Sequence, residues 1–317
     1  MQRASRRTKR PIWIVKLTLL LGLSCGSGAG CGPSQRSSDA AAPHGALPNP
    51  QKPLEGGGGT GQEQSDAGVI VSQADASAPS ACPEGMAHVR HDFCPELERR
   101  CLKSEYDPSN RLTICHRFDP ASNDCRAARV PLDYCIDRYE FPNERGAKPP
   151  VMVSFYDAER ACGELGKRLC YEREWVAACE GPEEKPFPYG YDRSKEHCNI
   201  DNPWISPSLS RVYSKDRAVQ EAELARLDQS RPSGAMEGCV SDFGVYDLTG
   251  NFDEWTRADQ ERPRARGRFA ALKGGAWGHV RNACRPVTTS HGPDFTYYFV
   301  SFRCCADARG AGAPTEQ

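Results

Sequence analysis

Sixteen cysteines in a chain of 317 residues constrain the fold more than any other feature. At this density the thiols must pair, bind metal or be kept reduced, and the compartment decides which. Six of them, Cys82, Cys94, Cys101, Cys115, Cys125 and Cys135, lie among turn formers such as Asp107-Pro108-Ser109-Asn110 and Asp119-Pro120. Their spacings of 12, 7, 14, 10 and 10 residues contain no Cys-x-x-Cys knuckle of a zinc site. Disulfides are therefore expected, and with them an oxidising compartment.

The N-terminus agrees with export. Arg3, Arg6, Arg7, Lys9, Arg10 and Lys16 precede a short apolar run, Leu17–Leu23, too short and interrupted for a durable membrane span. Arg6-Arg7 is a weak hint of a twin-arginine signal. Small residues and a cysteine follow twice, at Leu23-Ser24-Cys25 and Ala29-Gly30-Cys31. Residues 1–31 read as a signal peptide with a lipidation site at Cys25 or Cys31, and an ordinary cleaved signal is the alternative. Lipidation at Cys31 leaves 14 cysteines downstream of 1–31 unlipidated, an even number. Residues 32–80, rich in Gly, Pro, Ala, Ser and Gln, have too few large apolar side chains to offset their ordering entropy and read as a disordered linker. Residues 309–317 read as a disordered tail. A bacterial lipoprotein is expected, in the periplasm or at the outer surface and touching the membrane through its lipid anchor only.

Residues 81–308 remain for a core. Outside the six basic residues of 1–16, the chain has 35 basic against 42 acidic residues, about −7 in all, so no nucleic-acid partner is expected. Val151–Val153 reads as a short strand. Ser154 with Asp157 three residues on is close to a capping box, followed by Phe155, Ala158, Cys162 and Leu165 at helical spacing and a stop at Gly166. Further helices are expected over about Glu172–Cys179, ended by Gly181-Pro182, and over about Arg217–Leu227, the latter amphipathic. Past residue 240 the pattern is short strands and glycine-rich turns. The fold class is α+β, a single compact domain, disulfide-rich and low in regular structure.

Several segments carry a resemblance: Cys82–Met86 (CPEGM), Cys135–Asn143 (CIDRYEFPN), Gly166–Trp175 (GKRLCYEREW), Pro188-Tyr189-Gly190, Gly244–Thr256 (GVYDLTGNFDEWT) and Leu272–Asp307. In this order they resemble the formylglycine-generating enzyme, or sulfatase-modifying-factor, family over most of residues 82–307. The resemblance implies that family's fold, related to C-type lectins, with the cysteine-rich stretch at about 94–134 as an insertion between its first two strands. It implies a disulfide between Cys162 and Cys304. Cys179 matches one end of a second, but the usual partner position is Thr289, leaving Cys284, Cys305 and Cys170 as candidate partners.

The resemblance also implies metal sites. Asp247, Gly250, Phe252 and Glu254 match the family's second calcium site, and Asn199-Ile200 part of the first, with the alternative that Asp247 and Glu254 only brace a turn. The family's oxidases hold copper(I) between two cysteines five residues apart. Here the second position is Cys284 and the first is His279, so any catalytic role falls to these two. Ala276 replaces the family's active-site serine, Ala283 its tyrosine and Asp253 a tryptophan. Copper(I) favours paired thiolates, which a His/Cys pair lacks.

Three functions stay open: a binding module for a protein or glycan ligand with a degenerate copper site, an oxidase converting a sulfatase cysteine to formylglycine, and another non-haem metal oxidoreductase. For the third, His279 and His291 are the only pair of histidines worth testing. The loops that would choose a ligand, about 203–238 and 258–270, hold no readable motif. The arginines of the second (Arg262, Arg264, Arg266 and Arg268) suit either an acidic partner or solvent.

Overall fold

The computed structural model describes residues 80–279 and 281–309. The expected signal, the lipidated Cys25 or Cys31, the linker and the tail lie outside these residues, apart from the boundary residues Ser80 and Arg309. The described chain runs β1 (Met86–Phe93), β2 (Leu97–Glu98), β3 (Cys101–Asp107), β4 (Leu112–Phe118), β5 (Asp124–Cys125), β6 (Val130–Asp137), α1 (Phe155–Glu164), β7 (Arg168–Leu169) and α2 (Glu172–Glu180). It continues through α3 (Leu209–Val212), α4 (Arg217–Leu227), β8 (Asp253–Arg257), β9 (Ala270–Lys273), β10 (Val287–Thr288), β11 (Val300–Phe302) and β12 (Cys304–Asp307). No helix among the described residues is long and apolar enough to cross a membrane.

Two four-stranded sheets organise these elements, in the orders β1-β6-β12-β7 and β10-β9-β8-β11. The first strand starts at Met86, past the Cys82–Gly85 turn, and pairs along its whole length with β6. Because β6 begins at Val130, the insertion closes at residue 129, short of the expected 134. Within it, the β3–β4 hairpin is mostly exposed on both faces. Two strands with no hydrophobic face are marginal alone, and here Cys101–Cys115 ties them across. Cys94–Cys125 and Cys82–Cys135 close the rest of the insertion, so the six expected cystine residues pair among themselves.

Helix α1 starts as its sequence implies. Ser154 Oγ accepts the amide of Asp157 at 3.2 Å, and Asp157 Oδ2 accepts that of Ser154 at 3.2 Å. Phe155, Ala158, Ala161 and Cys162 are buried, but Leu165 is 45 % exposed and belongs to the cap, not the core. The expected strand at Val151–Val153 is absent. Met152 adopts φ +60° and donates its amide to Tyr297 O at 3.0 Å, so a tertiary contact overrides the β-branched pattern. In α2, Glu174 Oε2 accepts the Tyr171 amide at 2.8 Å, and Trp175 and Ala178 are fully buried. Helix α4 has the expected bounds and an inward face, though Glu223, 2 % exposed and bonded to Ser208 N and Arg226, sits at its centre beside Leu227.

Trp175, Trp255, Phe155, Phe302, Leu169 and Ile136 are among the large side chains sealed in the core. Arg303 is sealed with them. It is the single residue between β11 and β12, where the chain passes from one sheet to the other. Its guanidinium donates to both Glu254 oxygens (2.7 and 2.6 Å) and to Tyr246 O (2.9 Å). A bidentate pair with a carbonyl acceptor satisfies a cation that would otherwise be costly to bury.

Candidate functional site

The loop after β9 turns back on itself through Gly274 and Gly275, both at positive φ. A side chain on Gly275 would meet Asn282 Nδ2 at 2.9 Å and His279 Cβ at 3.1 Å, so glycine is required there. Asn282, fully buried, donates to the carbonyls of Gly275 and Ala276, each at 2.9 Å. Arg193 clamps the loop from outside, donating to Asn282 O and Oδ1 (both 3.0 Å) while pairing with Asp201 at 2.6 Å. These contacts fix the positions of Ala276, His279 and Cys284.

Cys284 is no free thiol. It is joined to Cys179 of α2, with Cα atoms 5.6 Å apart, and both residues are wholly buried. Of the three candidate partners for Cys179, Cys284 takes the place, while Cys170 and Cys305 pair with each other. The implied Cys162–Cys304 bridge is present, and Cys198–Cys239, for which the sequence offered no signal, completes seven bridges from the 14 described cysteines. A sulfur held in a disulfide is not a thiolate ligand, so the donors at this position do not fit copper(I).

His279 has acquired a different companion. Its Nδ1 stands 3.3 Å from Asp253 Oδ2, outside hydrogen-bond geometry, and its ring meets Phe299 edge-on at 5.0 Å. Asp253 Oδ1 accepts the Gly275 amide at 2.9 Å. Burial pushes the Asp253 carboxyl up, against the pull of His279 and Arg281. The two departures that replace a tryptophan and a cysteine thus touch each other. Their joint appearance in the sequence was the available signal, since a new carboxylate beside a new imidazole suggests a pair. His279 also lines a small cavity with Trp204, Ala276, Trp277, Tyr298 and Phe299.

The turn expected to hold calcium is more crowded. Asp247 (φ +59°) is buried, and its Oδ2 accepts the Gly234 amide at 2.7 Å. Burial pushes its carboxyl up to about 6, with Glu254 adding to the rise and Arg303 opposing it. Main-chain oxygens at Gly250 and Phe252 with Asp247 are a reasonable hard-oxygen set. Glu254 is less so, because Oε1 carries Arg303 and Oε2 carries both Arg303 and Trp175 Nε1 (2.9 Å). Asn199 is likewise engaged: its carbonyl accepts the Asn251 amide at 3.0 Å and its Nδ2 donates to Asn251 Oδ1 at 3.1 Å. Ile200 is buried beside it. The structure therefore brings the Asn199-Ile200 segment against the Asp247–Glu254 turn. Among the described residues no group of three or more His, Cys, Asp or Glu side chains is arranged to hold a metal.

Residues 133–308 match the sulfatase-modifying factor enzyme 1-like domain, and the chain belongs to that family. Its similar relatives include an inactive Cα-formylglycine-generating enzyme 2 of Bos taurus, 32 % identical over 179 residues, covering 52 % of each chain. A formylglycine-generating enzyme of Mus musculus is 26 % identical, over 51 % of this chain and 45 % of its own length. The chain spans about half the length of the curated relatives it matches. Among solved structures, PvdO of Pseudomonas aeruginosa is similar at a TM-score of 0.43 and 16 % identity, over 72 % of this chain and 95 % of that one.

Proposed function

We propose that this protein is an exported binding module built on an oxidase scaffold, tethered through a lipid on Cys25 or Cys31, and that it does not generate formylglycine. The carrying observation is the fate of Cys284: it is spent on a bridge to Cys179, and the partner position is His279 facing Asp253. An oxidation that needs two thiolates on copper has neither free. The seven disulfides suit an oxidising extracellular or periplasmic setting. The word "inactive" in the name of the Bos taurus relative is in keeping with a non-catalytic role. The test is copper(I) titration of the purified protein together with turnover of a cysteine-containing sulfatase peptide. Neither tight copper binding nor aldehyde is expected. Aldehyde formation would overturn the reading.

Calcium is proposed at the Asp247 turn, through Asp247 and the carbonyls of Gly250 and Phe252, with Glu254 shared with Arg303. A lowered melting temperature on chelation, restored by calcium but not by magnesium, is the expected result. An unchanged melting temperature removes the site.

A further inference from the structure

Three loops converge beside the His279 cavity. The arginine-rich loop before β9 is anchored by Gly267, whose amide donates to Thr289 O at 3.1 Å. A Cβ there would come within 3.0 Å of His291 O, so the loop lies flat against the segment that carries His291. Arg266 of that loop, together with Arg281 and His279 of the loop after β9, acts electrostatically on His291. One donor in this group is unspent: Arg281 Nε is buried without a hydrogen-bond partner among the described residues, and His279 Nδ1, a ring nitrogen facing Asp253 Oδ2 at 3.3 Å, also makes no hydrogen bond. Buried donors left unmade are costly, and an acceptor arriving from outside would recover that cost.

The same region is floored by aromatic rings in continuous contact. His279 meets Phe299, Phe299 meets Tyr297 at 4.8 Å, Tyr297 stacks on Phe295 at 5.5 Å, and Phe295 stacks on His291 at 3.7 Å. Trp204, on the wall of the cavity that His279 lines, is 61 % exposed. Flat apolar faces beside fixed cationic donors offer one surface for ring C–H groups and another for an anion. A peptide carboxylate would use only the second.

We propose that Arg266, Arg281, His279 and His291 form a binding site for an acidic saccharide, its sulfate or carboxylate held by the basic groups and its sugar rings by Trp204 and the half-buried rings of Phe295 and Tyr297. This assignment rests on the binding-module reading above and names the ligand class. Acidic side chains share the neighbourhood, and Asp201 there is already paired with Arg193. Asp253 stands 3.3 Å from the imidazole of His279, and the exposed Asp294 is on the His291 segment. Protonation of His291, which burial and the neighbouring Arg281 and Arg266 hold below the ordinary histidine value, adds positive charge, so binding strengthens as pH falls below the usual histidine range.

The test titrates the full chain with a heparin-derived oligosaccharide, a hyaluronan oligosaccharide, a neutral cello-oligosaccharide and an oligoglutamate of similar length, at about pH 5 and about pH 7.5. One or both acidic saccharides should bind about tenfold tighter than the neutral sugar and the oligoglutamate, and tighter at the lower pH. The heparin and hyaluronan arms separate sulfate from carboxylate. Arg281→Ala and Arg266→Ala should each weaken binding about fivefold or more, Arg281→Lys less, and Trp204→Ala should erase the preference for saccharide over oligoglutamate. Arg217→Ala, which removes an exposed α4 arginine paired with Glu221, should change nothing. Oligoglutamate or neutral sugar binding as tightly as the acidic sugars overturns the proposal. So does acidic-sugar binding that survives both arginine substitutions in variants whose melting temperature is unchanged. No saccharide binding in a protein that also makes no aldehyde overturns the ligand class and leaves the binding module standing. Aldehyde formation overturns the binding module itself.

Discussion

Removal of the Cys179–Cys284 bridge, as the double variant Cys179→Ala/Cys284→Ala, tests the conversion of a reactive centre into structure. Taken alone, the bridge closes a loop of 105 residues, which the chain-entropy relation converts to about 4.8 kcal/mol. The neighbouring bridges shorten it. From Cys179 the chain runs back nine residues to Cys170, crosses to Cys305, and returns 21 residues to Cys284, a ring of about 30 residues. For that ring the same relation gives about 3.6 kcal/mol. Both sites are fully buried, so the loss of two sulfurs from the core adds to this figure. Urea unfolding of the wild type and the double variant measures the difference, and alkylation of the native protein without reductant followed by mass spectrometry reports the state of Cys284. A loss of 3 to 4 kcal/mol or more, ~3.6 from the ring alone, and an unmodified Cys284 are expected. A loss below about 1 kcal/mol, or alkylation of Cys284 in the native fold, refutes the reasoning.

Three further outcomes follow from the geometry. Glu254→Gln strands the buried guanidinium of Arg303 and should cost about 3–5 kcal/mol by urea unfolding; a near-neutral effect would mean that Arg303 finds other acceptors. Ser154→Ala removes the side-chain acceptor at the start of α1 and should cost about 1 kcal/mol, with Ser154→Thr restoring most of it. Asp247, pushed up to about 6, holds its proton more tightly folded than unfolded. Its contribution to stability is therefore present below the unfolded value near 3.8 and is lost as pH rises through about 6. In calcium-free buffer, Asp247→Asn should gain on the wild type by at most about 3 kcal/mol between pH 4 and pH 7.5, and a gap that does not move with pH would contradict the shift.

Local signals in the sequence were legible where the physics is local. The reciprocal Ser154/Asp157 cap fixed the start of α1, and Gly166 and Gly181 its end and that of α2. A strand of two residues such as β7 exists only through a partner far along the chain, β12, and carries no local signature. Val151–Val153 read as a strand because its residues favour one, yet the Tyr297 carbonyl decided the backbone of Met152. At the candidate site, the Cys162–Cys304 bridge and the loss of the copper cysteine were readable through the resemblance. The Asp253–His279 approach was signalled only by two departures appearing together, and the Arg193 clamp on Asn282, 89 residues away, had no signal. The Cys179–Cys284 bridge was one of several permitted pairings, and only the packing of α2 against the loop selected it.

The placement of the bridges has a consequence for chain integrity. Cys162–Cys304, Cys170–Cys305 and Cys179–Cys284 each join a residue before position 180 to one after position 283. A protease that severs one peptide bond anywhere between those positions liberates nothing. The cut molecule keeps its mass on a non-reducing gel and separates into two bands only after reduction. Redundant stitching of this kind lets the long stretch between α2 and Cys284 be clipped or rewritten while the halves that carry the two sheets stay one molecule.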